Sequence, residues 1–200
     1  GSLRADMTER LTEKIMSRME VSVANLFTTT GWSLNVSLAA ANAFSANTTA
    51  SDPVPVFMTG SSVVVQNGGY RTNFAIIPRA AFVSMVSHTS ILDRIKYTSM
   101  DVNEGKFASL LRVDQVLVPE AAQDTANEGI ASSISAIWGN ICFIGYKPPR
   151  PTPLAPSSGY IFMKDQAPVR RWRDEAVKGE VIEVEKQYNA KIVASLSGYL

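Results

Sequence analysis

The 200 residues of this chain are enough for one domain or two small subdomains with a buried core. Nineteen basic and eighteen acidic side chains leave a formal net charge of +1, which argues against a dedicated nucleic-acid binder, because such a protein carries a basic excess or stripe. One cysteine excludes an intrachain disulfide, and no apolar run reaches the roughly 20 residues that span a bilayer, so we expect no membrane partner.

The first predicted element is a long amphipathic helix. Asp6 and Glu9 have the spacing of a capping box, and apolar residues follow at i, i+4 intervals from Leu11 to Val23. The pattern ends near Gly31. The polar face mixes both signs of charge, whereas a membrane-surface helix would favour Lys and Arg there. A structural spine is therefore the favoured interpretation.

A second helix and an α/β region follow. Asp52-Pro53 provides an N-cap with a proline at the first helical position, and Asn67-Gly68-Gly69 provides a left-handed stop. Asn73–Ile77 is predicted to be a short buried strand. Pro78 then opens a helix that breaks at His88.

The second half of the chain is predicted to be richer in strands. Gly105 should precede a short helix at Phe107–Leu111, and Ile141–Ile144 is a second buried strand. The proline-rich segment Pro148–Pro153 is a loop. Antiparallel strands are predicted at 160–163, 169–173, 181–188 and 191–193. This order of helices, mixed structure and strands predicts the α+β class.

Catalytic patterns are absent from the sequence. There is no nucleophile elbow and no glycine pattern for a dinucleotide or a phosphate, and a single histidine cannot build the usual Cys/His zinc site. A Cys142/His88 dyad of a small hydrolase is formally possible. However, a cysteine in an apolar strand behaves as a small hydrophobe, and His88 is better explained as a cap or a packing residue. We therefore predict no catalytic residue, cofactor or metal, and a protein that is not an enzyme.

A basic and aromatic run near the end of the chain has two interpretations. Arginines on both sides of a tryptophan are typical of a nucleic-acid patch. Asp165, Asp174 and Glu175 are close enough in sequence to pair with them, which favours a salt-linked subunit contact instead. The candidate subunit-contact residues are Arg170, Arg171, Trp172, Arg173 and Asp174.

A series of segments in chain order carries a resemblance to a known family. They are Asn73–Pro78 with Phe82, His88 and Ile91, the turn of Asp93, Arg94, Lys96 and Tyr97, the segments Leu110–Val118 and Ala136–Tyr146, and the closing residues Trp172, Val181–Tyr188, Lys191 and Gly198–Leu200. Taken in order, these segments resemble the major capsid proteins of tailed bacteriophages and prophages, which have the Hong Kong 97-type fold. Pro119 departs from the pattern, because many relatives have glycine there.

The resemblance implies three structural parts. Residues 1–70 would form a spine helix and the first part of a peripheral domain, 71–164 an axial domain, and 165–200 the terminal strands of the peripheral domain. The N-terminal arm and extended loop of the family would be missing. A start at Gly1-Ser2, without an initiator Met, agrees with this, and we interpret the chain as a fragment with Gly1-Ser2 as a vector scar.

The function that the resemblance implies is self-assembly into the icosahedral head that encloses phage DNA. The full-length protein would form hexamers and pentamers, contact packaged DNA nonspecifically, and meet portal and scaffolding proteins. It would reside in the virion after assembly in the host cytoplasm. The fragment itself would be a monomer or small oligomer, because the arm and loop that lace subunits together are missing. An encapsulin-like nanocompartment shell is the alternative within the same fold.

Overall fold

The computed structural model describes residues 3–29, 32–38, 43–96, 103–127, 129–152, 154–164, 168–176 and 178–200. The helices α1 to α5 are Leu3–Thr29, Pro53–Gly68, Arg79–Val86, Thr89–Ile95 and Glu104–Leu111. The strands β1 to β10 are Phe74–Ile76, Gln115–Leu117, Ala122–Asp124, Ile134–Ala136, Phe143–Gly145, Gly159–Lys164, Val169–Asp174, Gly179–Val184, Gln187–Ile192 and Gly198–Tyr199. The predicted α+β class is confirmed. Several residues of the sequence analysis lie outside the described ranges, namely Gly1, Ser2, Gly31, Tyr97, Pro153 and Asp165.

Helix α1 confirms the predicted long helix but begins earlier than expected. It starts at Leu3, so Asp6 lies in its first turn and is not its cap; a negative charge there still favours the helix dipole. Only the C-terminal part is packed into the body, where Ala24 is buried. At the other end Leu3 is 71% and Met7 52% exposed. Helix α1 is thus anchored at one end and lies along the surface at the other.

Helix α2 has both predicted ends. Asp52 accepts a hydrogen bond from the backbone N–H of Val54 at 3.1 Å, and Gly69 ends the helix with φ of 73°. The β-branched run at residues 63–65 stays helical because Val64 is fully buried against the core. Tertiary burial here outweighs the weak helix preference of valine.

The central sheet has the strand order β10-β5-β1-β2. Strands β1 and β2 are parallel, and the other pairs are antiparallel. Side chains alternate between the two faces. Ala75 and Ile144 enter a core formed with α2 to α5, while Phe74, Ile76 and Phe143 enter a second core with the end of α1. Strands β1 and β5 are buried at every residue because both of their faces are covered, and they therefore appear in the sequence as short apolar runs, whereas β2 exposes Gln115 and Leu117.

Two predicted boundaries were wrong by a few residues. Helix α5 starts at Glu104, where the side chain of Asn103 accepts from the N–H of Lys106 at 3.0 Å, so Gly105 lies inside the helix. The second buried strand is β5, Phe143–Gly145, so Cys142 lies just before it. Apolar residues continue on both sides of this strand, and the sequence pattern alone could not fix its ends.

Strands β3 and β4 form an exposed hairpin that the sequence analysis did not predict. They pair antiparallel, with Gln123 opposite Ser135. Asp124 holds the loop between them: its carboxylate accepts from Ser132 Oγ at 2.6 Å and from the N–H groups of Ser133 and Ala126 at 2.9 and 3.0 Å. The Ser132 hydroxyl and these two backbone donors lower the pKa of Asp124 from its ordinary value of 3.8.

This arrangement predicts acid opening of the hairpin. A lowered pKa in the folded state means that the ionised Asp124 stabilises the loop above about pH 4, and that the stabilisation is lost as pH falls through the lowered pKa. We expect the amide resonances of Ala126 and Ser133 to shift together in an NMR titration, with a midpoint below 3.8. The Asp124→Asn variant should lose this titration. A midpoint above 3.8 in the wild-type protein would contradict the assignment.

Candidate subunit interface

Residues near the end of the chain form a two-stranded ribbon, defined here as β6 to β9. Strand β6 pairs with β9 from Gly159↔Ile192 to Lys164↔Gln187, and β7 pairs with β8 from Val169↔Val184 to Asp174↔Gly179. All these pairs are antiparallel, as predicted. The predicted strand 181–188 is divided into the end of β8 and the start of β9, because β8 ends at Val184.

All five candidate contact residues lie on β7, where alternation divides them between its two faces. Arg170, Trp172 and Asp174 share one face, and Arg171 and Arg173 share the other. The strand is exposed up to Arg173, and Asp174 is half-buried. Trp172 remains 46% exposed. An exposed tryptophan flanked by arginines has the composition of the central residues of protein interfaces.

The arginines of β7 are interleaved with carboxylates. Arg170 is directly opposite Glu183, and Arg173 Nε donates to Glu175 Oε1 at 2.9 Å. Asp174 accepts from the N–H of Ala176 at 2.9 Å and closes the turn; among the described residues it forms no ion pair with an arginine. Exposed ion pairs of this kind contribute about 0–1 kcal/mol to stability. Their neighbouring carboxylates weaken the interpretation of this run as a nucleic-acid patch.

Helix α1 lies along the ribbon. Arg4 forms an ion pair with Glu180 at 2.8 Å, and the hydroxyls of Ser22 and Tyr188 are 3.0 Å apart. The positions of Arg4 and Ser22 are separated by about 27 Å of helix. These contacts join residues more than 160 positions apart, so no local pattern could have predicted them.

Exposed apolar side chains occur along both this helix and the ribbon. A groove between α1 and β6 is lined partly by Met16, Met19, Val23 and Ile161. Exposed apolar groups that gather in one region mark candidate interaction surfaces. We call the exposed apolar residues of α1 and the ribbon the interface strip; they lie on both faces of their strands and on more than one side of α1, and they are Leu3, Met7, Met16, Ile161, Phe162, Met163, Val169 and Trp172, all at least 42% exposed.

The hydrolase hypothesis finds no support in the geometry. Burial raises the pKa of the Cys142 thiol to about 12. His88 is fully buried, and both ring nitrogens are engaged: Nδ1 accepts from the N–H of Ser90, and Nε2 lies 3.0 Å from Ser51 Oγ. Cys142 lines a cavity of about 600 Å³ to which the described residues contribute no His, Asp, Glu or Lys. His88 is the cap of α4, as the sequence predicted.

In the described part of the chain, no group of three or more His, Cys, Asp or Glu residues is arranged to hold a metal ion. None of the described helices combines the length and the apolar character needed to cross a membrane.

Comparison with known proteins identifies the class of fold. No family model matches the sequence. The structure superposes on a phage-related protein from Bordetella bronchiseptica RB50 with a TM-score of 0.80 and 20% identity, over 100% of this chain and 67% of that one. It superposes on the capsid structure of the cyanophage P-SCSP1u with a TM-score of 0.60 and 11% identity, over 100% and 65% of the chains. The fold is therefore that of a phage capsid protein.

A sequence relative makes the likeness more particular. The chain is 27% identical over 156 residues to the major capsid protein of Burkholderia phage BcepMu, covering 75% of this chain and 50% of that protein. The resemblance to phage major capsid proteins found in the sequence is thereby confirmed. The chain spans about half the length of this curated relative.

Proposed function

We propose that this chain is part of the structural subunit of a phage capsid shell. The observation that carries the proposal is the capsid fold with an exposed apolar strip along α1 and the ribbon. A shell subunit needs a surface of this kind, since the same patch must be covered by other copies throughout the assembly. A net charge of +1 suits repeated packing, because strongly charged copies would repel one another.

We also propose the division into spine, axial and peripheral regions that the resemblance implies, but with two of its boundaries moved. Strand β6 pairs along its whole length with β9, which supports placing residues 159–164 with the ribbon. Helix α2 contributes Val54 and Phe57 to the core of the central sheet, which supports placing it with the axial region. Strand β10 pairs with β5 and joins the end of the chain to the same sheet.

The shell is proposed to be noncatalytic and to enclose phage DNA, with assembly in the host cytoplasm and contacts to portal and scaffolding proteins. The test is to express the longer protein and image the product by electron microscopy. Shells that contain nucleic acid are expected. Shells that contain protein cargo and no nucleic acid would favour the encapsulin-like alternative. A soluble product that forms neither capsomers nor shells under any assembly condition would contradict the proposal.

Trp172 provides a sharper test of the interface strip. We expect Trp172→Ser in the longer protein to raise the critical concentration for assembly by about 30-fold, as is typical when a central interface tryptophan is lost. The free energy of unfolding of the present chain should fall by only about 1–2 kcal/mol, because the side chain is 46% exposed and loses mainly its cross-strand contact with Val181. Trp172→Tyr keeps an aromatic ring and should retain assembly. Equal assembly of the serine variant and the wild type would exclude Trp172 from the contact.

A further inference from the structure

One end of the central sheet gathers basic and aromatic side chains from separate segments. Strands β1 and β2 are parallel, and β5 is antiparallel to β1. The residues before β1, before β2 and after β5 therefore meet at the same end of the sheet. We call this group the basic corner and define it as Tyr70, Arg71, Arg112, Tyr146 and Lys147. The shell function proposed above does not use it.

Asn73 holds the corner together. Its side-chain amide donates to the carbonyl of Lys147 at 2.7 Å, and its Oδ1 accepts from the N–H of Lys147 at 2.9 Å. Its backbone carbonyl accepts from the N–H groups of Asp114 and Gln115 at 3.0 and 3.2 Å. One residue therefore fixes the backbone of three segments, so the surface is preorganised before any ligand arrives.

The positive charges of the corner are exposed and lack carboxylate partners. Arg71 Nη2 donates to the carbonyl of Arg112 at 3.1 Å, and Lys147 Nζ donates to Gln115 Oε1 at 2.8 Å. In the ranges that the structure describes, none of these three cations forms an ion pair. The acidic residue closest in sequence to these cations is Asp114, two positions after Arg112, and its side chain is exposed. The corner thus differs from the ribbon, where Glu183 lies opposite Arg170 and Glu175 accepts from Arg173.

The two tyrosines add hydroxyl groups to the same surface. Their rings stack with centroids 4.9 Å apart and an angle of 18° between the planes, and Tyr70 is 39% exposed. Three adjacent strands span about 10 Å, so the cations are spread over a distance that a few neighbouring phosphates could match. Arg, Lys and Tyr are among the side chains that contact phosphates in protein–DNA complexes.

We propose that the basic corner binds the sugar–phosphate backbone of duplex DNA without regard to sequence. The inference rests on the proposed shell function for its setting, because it identifies the part of each subunit that meets the enclosed DNA. Binding by one copy should be weak, with a dissociation constant of about 10⁻⁴–10⁻⁶ M at physiological salt. Many copies on a closed shell would multiply this weak contact.

The test is titration of a labelled mixed-sequence duplex with the present chain, followed by fluorescence anisotropy at several salt concentrations. The variant Arg71→Gln with Lys147→Gln should bind about tenfold or more weakly at low salt, since hydrogen bonds to charged groups are lost. The slope of log K against log salt should become shallower by about 2. The charge-preserving variant Arg71→Lys with Lys147→Arg should bind like the wild type.

The matched control removes the same charge from the ribbon. Arg170→Gln with Arg171→Gln should leave the salt slope close to that of the wild type. Equal weakening by the two double variants would overturn the proposal, because binding would then follow net charge alone; no binding of the wild type at low salt would also overturn it. If the glutamine variant of the corner does not fold, Tyr70→Phe with Tyr146→Phe tests the same surface and should weaken binding severalfold; unchanged binding by that variant would count against the corner.

The two proposals fail in different experiments. Assembly of the longer protein without any duplex binding by the present chain would remove the corner and leave the shell function standing. Duplex binding that depends on Arg71 and Lys147, without assembly of the longer protein, would support the corner and remove the shell function. If the corner variants change self-association and not duplex binding, the surface is a contact between copies, and the DNA proposal is wrong.

Discussion

Replacing Gly198 by alanine is expected to lower the free energy of unfolding by about 2–3 kcal/mol. Gly198 lies in β10 directly opposite Gly145 of β5, and the Phe143 and Trp32 rings fill the space that these two glycines leave. A Cβ at residue 198 would overlap Phe143 Cζ and lie 2.5 Å from Trp32 Cζ3. The two rings are packed with centroids 4.5 Å apart, so neither can move without opening the second core.

Gly105→Ala is the matched control for this substitution. Residue 105 lies in α5, where the nearest atom to an added Cβ is Asn103 Oδ1 at 3.7 Å. Alanine there should leave the free energy of unfolding unchanged or raise it by up to about 1 kcal/mol, because glycine costs more backbone entropy in a helix. Both free energies can be measured by urea unfolding. Similar free energies of unfolding for Gly198→Ala and Gly105→Ala would show that the Phe143 and Trp32 rings move to make room for the added methyl group.

Elements that depend on local chemistry could be predicted from the sequence. The Asp52 cap, the Gly69 stop and the His88 break are each encoded within a few residues, and all three are present. The buried strands β1 and β5 were recognisable as short apolar runs because the central sheet is covered on both faces. Their ends were less certain, since Ile141 and Cys142 continue the apolar run without belonging to β5.

Pairing over long sequence distances could not be predicted. Nothing near Gly198 indicates that it lies opposite Gly145, and nothing near Glu180 indicates an ion pair with Arg4. The composition of Arg170–Asp174 was enough to predict these residues as part of a candidate interface. The part of the interface strip on α1 could not be predicted, because it depends on how the helix lies against the ribbon. The basic corner could not be predicted, because its residues are scattered from Tyr70 to Lys147 and converge only through the sheet topology.

The segment from Phe44 to Asp52 is fastened to the start of α4 through side chains. Asn47 Oδ1 accepts from the N–H of Thr89 at 2.9 Å. Arg94 donates through both terminal nitrogens to the carboxylate of Asp52 at 3.0 and 2.8 Å. The contact between Ser51 and His88 is buried. Because Nδ1 of His88 accepts from the N–H of Ser90, the proton of the neutral ring is on Nε2, which donates it to Ser51 Oγ. His88 therefore has a structural role: it connects the segment 44–52 to the start of α4.

Truncating the His88 side chain should lower the free energy of unfolding about as much as Gly198→Ala does. We expect His88→Ala to lower the free energy of unfolding by about 3 kcal/mol, because it removes a fully buried side chain and the cap of α4. His88→Asn keeps a capping oxygen for the Ser90 N–H but is too short to reach Ser51, so it should cost less.

A double-mutant cycle isolates the buried bond. Ser51→Ala and His88→Asn, alone and combined, should give a coupling energy of about 1 kcal/mol in urea unfolding, because either change alone already breaks the contact between Nε2 and Ser51 Oγ. Ser62→Ala is the control: its hydroxyl donates to the carbonyl of Met58 on an exposed helix face, and its loss should change stability by less than about 0.5 kcal/mol. Strict additivity of the two changes at residues 51 and 88 would mean that the bond does not hold this segment, and that the cost of His88→Ala comes from lost packing and the lost cap of α4.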